Sequence, residues 1–298
     1  MTESVPQEKS LLAQAKELLR QNQVQAKKSL GQNFLINPAV LDKITRASDL
    51  TERDLVFEVG PGLGVLTRQL IALSGHVIAV EVDRRMVELL NKTLGSPPNL
   101  SLVQQDILDI EPAELVRQES FRFSSSIPRP YHYKVVANLP YYITQAVIRR
   151  FCEAELKPDL MVIMVQKEVA RNIVAAPGDL SILAVSIQFF GRPRIVDIVP
   201  AGNFYPAPRV DSAILKIEMY PGPAVPVASE ADFFKTVRAG FCAARKQVAN
   251  ALSQGLAIPR AEVLSLMQKA GVEPQKRAET LTLEEWARLT KVFFEEKN

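Results

Sequence analysis

Five apolar runs, "LVFEV" (55–59), "HVIAVEV" (76–82), "LSLVQQD" (100–106), "KVVAN" (134–138) and "LMVIMVQ" (160–166), alternate with segments of helical spacing. This alternation constrains the fold more than any other feature. Strands that are apolar on both sides need cover on both faces, and helical crossovers supply it. The pattern predicts an α/β fold built on a doubly wound, mainly parallel sheet. "RIVDIV" (194–199) and "SAILKIEMY" (212–220) read as a closing pair, suited to an antiparallel edge.

The remaining chain divides by pattern. Residues 10–22 place Leu11, Leu12, Ala15, Leu18 and Leu19 on one helical face, followed by the basic stretch "KKSLGQNFL". Together they form an N-terminal arm to about residue 35. The Ser-, Pro- and Arg-rich stretch 119–133 reads as a surface loop. "PGPAVPVASE" (221–230) carries three prolines and reads as a linker. The expected division is a sheet domain over 1–220, the linker 221–230, and a small all-helical domain over 231–298.

Composition narrows function by exclusion. With only two cysteines, Cys152 and Cys242, and no CxxC, a zinc site of common spacing and a disulfide framework are not expected. Two histidines, His76 and His132, cannot supply a multi-histidine site, so no metal is expected. The N-terminus has no apolar signal region, and the longest apolar run, "ILAVSIQFFG", is broken by Ser186 and Gln188. A cytoplasmic protein without membrane contact is expected. The formal charge of +3 permits a nucleic-acid partner without demanding one.

"FEVGPGLGVLT" (57–67) follows a strand and opens a helix, with Glu58, Gly60, Gly62 and Gly64 in the turn. Such glycines let the backbone approach a ligand closely. The spacing is not the dinucleotide GxGxxG, since Val65 stands one place after the third glycine. Glu58 would repel a pyrophosphate but suits an ammonium group. Glu81, at the end of the second strand, can accept from ribose hydroxyls, and Asp106, after the third, from an adenine amino group. These features point to S-adenosylmethionine (SAM), leaving S-adenosylhomocysteine, in a Rossmann-like methyltransferase domain. Asp83 is read as a helix cap.

"VANLPYYITQ" (136–145) ends the fourth strand on the ligand edge of such a sheet. It suits methylation of an exocyclic nucleobase amine. The Asn138 side-chain oxygen and the Leu139 carbonyl can accept from the two amine hydrogens, and Pro140 fixes the bend. Tyr141 offers a flat face to an extruded base. The bland alternative is an ordinary turn, with Thr144 as helix N-cap and Tyr141 in the core. Tyr142 has no role that the pattern defines.

"KKSLGQNFL", "FEVGPGLGVLT", "AVEVD", "QQD", "NLPYYIT" and "NFYPAPRVDSAI" occur in this order. Together, over roughly residues 24–255, they closely resemble the rRNA adenine N6,N6-dimethyltransferase family, in its bacterial small-subunit branch. The resemblance implies transfer of two methyls to each of two adjacent adenosines in the 3′-terminal hairpin loop of 16S rRNA, within a late small-subunit (30S) precursor. It implies cofactor contacts at Asn33, Leu35, Gly60, Glu81, Asp106 and Asn138. It also implies a base pocket of Asn138, Leu139, Pro140 and Tyr141, with Phe204 as a second aromatic face. The family often has Asn where this chain has Tyr142, and its basic element matching "ARKQVANAL" usually carries paired arginines.

Read as one helix, 233–252 sets Lys235, Arg238, Arg245 and Lys246 beside an apolar stripe of Phe234, Val237, Phe241, Val248 and Leu252. Such a basic stripe can meet phosphates or simply face solvent. Lys27, Lys28, Arg149, Arg150 and Arg209 are further candidate RNA contacts, with Arg149 and Arg150 expected near the pocket rim. A monomer is expected. Two rival functions stand beside this reading: a 23S rRNA adenine methyltransferase of the macrolide-resistance type, and a non-catalytic RNA-binding assembly factor.

Overall fold

The computed structural model describes residues 9–27, 30–122, 132–243 and 245–295. The elements run α1 (Leu11–Gln21), β1 (Phe34–Leu35), α2 (Pro38–Ala47), β2 (Leu55–Val59), α3 (Val65–Leu73), β3 (His76–Glu81) and α4 (Arg84–Leu94). Then come β4 (Leu100–Gln104), α5 (Pro112–Arg122), β5 (Tyr133–Asn138), α6 (Thr144–Glu153), β6 (Leu160–Gln166) and α7 (Lys167–Ile173). Next are α8 (Ile182–Phe190), β7 (Gly191–Val199), β8 (Phe204–Tyr205) and β9 (Ser212–Met219). Helices α9 (Glu230–Phe241), α10 (Val248–Leu256), α11 (Arg260–Lys269) and α12 (Leu283–Thr290) follow. The chain forms two compact units, one of residues up to Lys167 with Ile195–Ile217, the other of Glu168–Arg194 with the residues from Glu218 onward.

The first unit holds most of the sheet, whose strands run in the order β4-β3-β2-β5-β6-β9-β7. Strands β4, β3, β2, β5 and β6 run parallel. Successive side chains of a strand point to opposite faces, and β2 shows the result. Val56 packs with Leu41 and Ile44 of α2 and Leu70 of α3. Phe57 meets Phe151 of α6 edge-on, with ring centroids 5.2 Å apart. Both faces are thus covered, as the uninterrupted apolar runs require. Each large side chain buried this way contributes about 1.5–3 kcal/mol. The strand order reverses between β2 and β5, and ligands of doubly wound sheets bind outside the strand ends at such a switch point.

Helix α1 buries Ala15 and Leu19 against Phe34, Leu63, Met86 and Leu89. Asp83 caps α4, accepting from Arg85 N at 3.2 Å, as its position before the helix predicts. A two-stranded antiparallel sheet of β1 and β8 pairs Leu35 with Phe204. Two-residue strands carry too little pattern to be visible in sequence.

The second unit is helical beyond residue 230 among the described residues. Phe189 of α8 and Phe233 of α9 stack at 4.4 Å. Trp286 of α12 is fully buried. The run "ILAVSIQFF" is the nine-residue α8, and no helix among the described residues is long and apolar enough to cross a membrane.

Three expectations meet a different structure. The compact units divide at Ile217 and Glu218, and the second also takes in Glu168–Arg194, which the proline-based boundary at 221–230 assigned to the sheet domain. Proline marks where a chain turns, whereas packing decides which core a segment joins. Residues 119–122, read as the start of a loop, are the last turn of α5, with Glu119 and Ser120 buried; 123–131 lie outside the described residues.

The third difference is the basic helix over 233–252, which is two helices. The chain leaves α9 at Cys242 and enters α10 at Val248. The two pack back to back where a Cβ on Gly255 would lie 2.5 Å from the Ala239 Cα. Val237, Val248 and Leu252 are all fully buried in this arrangement. Arg245 and Lys246 therefore stand exposed in the turn, off the stripe that carries Lys235 and Arg238. Helix α6 starts at Thr144, where the motif places it, and Thr144 donates its hydroxyl to the Pro140 carbonyl at 3.1 Å, so the ordinary turn with Thr144 as N-cap is not what forms.

Candidate active site

A cleft of about 1030 Å³, counted out to its open mouth, lies at the C-terminal ends of β2, β3, β4 and β5. Its walls bring together Asn33, Leu35, Glu58, Gly60, Gly62, Glu81, Asp106, Asn138, Leu139, Pro140, Tyr141 and Phe204. All lie in the first unit. Twelve of the thirteen pocket residues expected from sequence thus converge.

The exception is Gly64, which is not in the wall. It caps α3 with φ +75°, and a Cβ there would lie 2.7 Å from Leu90 Cδ2 of α4. Its task is to let α3 and α4 close on each other. Gly62, at φ +56°, instead turns the loop against Phe34.

Glu58 is 1% exposed, and its Oε2 has no hydrogen-bond partner among the described residues. Burial pushes its carboxyl up to about 8, with the Thr67 hydroxyl opposing and the nearby Glu81 charge adding to the rise. An orphaned buried carboxyl at a cleft wall fits a cationic ligand group better than any phosphate. Glu81 is also raised by burial, against backbone N–H groups of Asp83, Gly62 and Val82 that favour its charged form. Asp83 N donates to Glu81 Oε1 at 2.9 Å. Asp106 caps the 3₁₀ turn Ile107–Asp109 through Leu108 N at 2.9 Å, so capping and facing the cleft coexist.

At the end of β5, Asn138 Nδ2 donates to the Asn33 carbonyl at 3.1 Å. The amide is thereby oriented, and no described residue donates to its Oδ1. Leu139 N bonds the Met164 carbonyl at 3.3 Å, tying the turn to β6. Pro140 lies against Gly60, so the two loops abut. Tyr141 is half-buried, and its hydroxyl lies 2.7 Å from Ser212 Oγ. Burial raises its phenol, and the Ser212 bond opposes. Tyr142, 59% exposed, stands at the mouth beside Gly31. The motif pattern did not foresee the wall residues Leu30, Gln32 and Gln105; nothing in their residue type signals a site.

Among the described residues, none of the expected RNA-facing cations lines the cleft. Lys27 pairs with Asp83 at 2.9 Å. Arg149 pairs with Glu153 one turn along α6. Arg150 donates to the Ile110 carbonyl and so braces α6 rather than standing at the rim. Arg209, Lys235 and Arg238 are exposed. Lys28 lies outside the described residues.

Comparison with known proteins gives the family. The family model "Ribosomal RNA adenine dimethylase" matches residues 23–295. A Dehalococcoides mccartyi (strain 195) protein named ribosomal RNA small subunit methyltransferase A is 51% identical over 286 residues, 96% of this chain and 94% of that one. A protein of the same name from Pelotomaculum thermopropionicum is 41% identical, over 95% of this chain and 96% of its own. The crystal structure of the 23S rRNA methyltransferase ErmE superposes with a TM-score of 0.66 at 27% identity, covering 87% of this chain and 99% of that one. A Plasmodium falciparum dimethyladenosine transferase shares the fold, with a TM-score of 0.73 at 23% identity, over 89% of this chain and 98% of that one. With its sheet, its cleft and a family match over nearly its whole length, the chain belongs to the ribosomal RNA adenine dimethylase family.

Proposed function

We propose that this protein transfers methyl groups from SAM to N6 of two adjacent adenosines in the 3′-terminal hairpin loop of 16S rRNA, giving N6,N6-dimethyladenosine. The observation that carries the reading is Asn138. Its amide nitrogen is committed to Asn33, and its oxygen is left as an acceptor in the same cleft as Glu58, Glu81 and Asp106.

Bound SAM supplies a methyl group made electrophilic by a positive sulfur. The chain's own residues do the rest. Glu58 is suited to the ammonium, Glu81 to the ribose hydroxyls, and Asp106 to the adenine amino group, with the Asn33 and Leu35 segment as the facing wall. Asn138 Oδ1 and the Leu139 carbonyl accept from the two hydrogens of the target amine, turning its lone pair toward the donor. Tyr141 and Phe204 flank the extruded base, and stacking on an aromatic ring is worth about 1–3 kcal/mol. Rate enhancement then comes mainly from alignment. No histidine is required, because the amine can lose its proton during or after transfer.

The small subunit is favoured over the large by the relatives. Proteins 41–51% identical over nearly their whole length carry the small-subunit name, whereas the 23S enzyme structure is 27% identical. A late 30S precursor, a monomeric enzyme and a cytoplasmic setting belong to the same proposal. Exposed Lys235, Arg238, Arg245, Lys246 and Arg209 are proposed phosphate contacts.

The test is mass spectrometry of nucleosides after incubation with SAM and either 30S particles or 23S rRNA. Dimethyladenosine in 16S rRNA is expected. Methylation of 23S rRNA alone, or none with either substrate, overturns the proposal.

A further inference from the structure

Lys27 was expected to face RNA, but its ammonium is spent inside the protein, on Asp83. The Asp83 carboxylate is 3% exposed, and Lys27 Nζ lies 2.9 Å from it. Burial disfavours the Asp83 charge, yet Lys27 and the Arg85 N–H outweigh burial and hold the carboxyl below its usual value. Asp83 in turn donates its backbone N–H to Glu81 Oε1 at 2.9 Å, and Glu81 is a wall of the cofactor cleft. Arg85 Nε lies farther off, 3.7 Å from the other carboxylate oxygen of Asp83, on a half-exposed side chain, so Lys27 is the nearer of the two cations.

The backbone of Lys27 is fastened to the opposite wall. Its N–H donates to Gln32 Oε1 at 2.8 Å, and its carbonyl accepts from Leu30 N at 3.1 Å and Gln32 N at 3.3 Å. Leu30 and Gln32 line the cleft, and the next residue, Asn33, orients Asn138 through its carbonyl. A single residue therefore joins two walls. Its side chain holds the end of β3 through Asp83, and its main chain holds the segment leading to Asn33.

We propose that Lys27 is a positioning residue for methyl transfer, which through Asp83 sets the spacing between the Glu81 wall and the Leu30–Asn33 wall, and is not a phosphate contact. The pair is partly shielded, with Lys27 36% exposed, so water does not fully screen it. Removing the ammonium leaves the Asp83 carboxylate buried with its main partner gone, which favours local rearrangement at the neighbouring Glu81. The inference rests on the proposed SAM site.

The test measures S-adenosylhomocysteine affinity by calorimetry, together with KM for SAM, KM for 30S particles and kcat, in K27A, K27R, D83N and K27A/D83N. Expected are a five- to fifty-fold weaker cofactor affinity in K27A with KM for 30S particles within twofold of wild type, and substantial recovery in K27R. The double variant should lose no more than the worse single, as coupled partners do. Unchanged cofactor affinity in K27A overturns the inference. So does a loss confined to RNA affinity with a shallower salt dependence, the signature of a phosphate contact. So does full additivity of the two losses. If wild-type protein binds no S-adenosylhomocysteine, the SAM site itself falls, an outcome distinguishable from failure of Lys27 alone.

Discussion

Asn138 gives its amide hydrogen to the carbonyl of Asn33, 105 residues earlier in the chain, at 3.1 Å. The bond fixes which end of the amide is nitrogen and turns the oxygen to other use. A strand-end Asn with a free oxygen is an acceptor aimed by the fold. Asn138→Ala should therefore reduce kcat by about 10²–10³, the usual cost of removing one preorganised polar group. RNA affinity should stay within about threefold, since phosphate contacts elsewhere dominate it. Single-turnover methylation and filter binding separate the two. Transfer at the wild-type rate would remove Asn138 from the mechanism.

Tyr141 and Ser212 make a second pair that decides a mutation. The phenol oxygen lies 2.7 Å from Ser212 Oγ, so the hydroxyl anchors the ring rather than meeting substrate. Tyr141→Phe keeps the face and loses one neutral hydrogen bond, worth about 0.5–1.5 kcal/mol. Tyr141→Ala loses the face as well, so kcat/KM should fall a further tenfold or so relative to Phe, consistent with a stacking contribution of about 1–3 kcal/mol. Equal losses in the two variants would show that the ring does not stack the base.

Glu58 links the site to pH. Its carboxyl, pushed by burial up to about 8, well above the ordinary carboxylate range, is mostly protonated in the free site at neutral pH. An ammonium group arriving beside it favours the ionised form, so binding releases a proton. Affinity for S-adenosylhomocysteine should then rise from pH 6 to about pH 8. The same shift acts oppositely on stability. Between about pH 4.5 and pH 8 the folded state binds more protons than the unfolded, so the contribution of Glu58 to stability falls as pH rises through that window. Glu58→Gln should flatten both dependences. Calorimetry in buffers of different ionisation enthalpy reads proton release directly, and absence of release in wild type contradicts an ammonium at Glu58.

Gly64 separates packing from binding within one loop. Its φ of +75° and the 2.7 Å approach of Leu90 Cδ2 both disfavour a side chain. Gly64→Ala should cost about 1–3 kcal/mol of stability, through the left-handed backbone and the crowding together. Cofactor affinity in the folded fraction should be little changed, because Gly64 is outside the wall. A stable variant that no longer binds cofactor would return Gly64 to the site.

What could be read from sequence divides along the same physical line. The parallel sheet was legible because burial on both faces leaves uninterrupted apolar runs, and β2 and β6 have the very bounds those runs suggested. Glu58, Gly60, Gly62, Glu81, Asp106 and Asn138 were legible because they stand at strand ends beside a glycine turn, whereas Asn33, Leu35 and Phe204 were reached only through the family resemblance. Cations were not legible. A lysine or arginine in sequence carries no sign of its partner, and Lys27, Arg149 and Arg150 each found one within the protein. The break between α9 and α10 was hidden for another reason: the residues at 242–247 are mostly compatible with a helix, and the close approach of Gly255 to Ala239 is a tertiary contact that no local pattern announces.

The cations that remain exposed on α9 can be tested by charge alone. Lys235 sits 5.1 Å over the Phe294 ring, and Arg238 follows one turn later on the same solvent face. A ring beneath an ammonium restrains the side chain without neutralising it, so Lys235 stays available to a phosphate. Each phosphate neutralised by a protein cation adds nearly one unit to the slope of log affinity against log salt. Lys235→Ala with Arg238→Ala should therefore weaken RNA binding and reduce that slope by roughly two. Arg245 and Lys246, in the turn before α10, should contribute separately. Because all four lie outside the cleft, kcat at saturating RNA should stay within about twofold of wild type in the Lys235 and Arg238 double variant. A salt slope equal to that of wild type would make this face of α9 a solvated surface with no part in RNA binding.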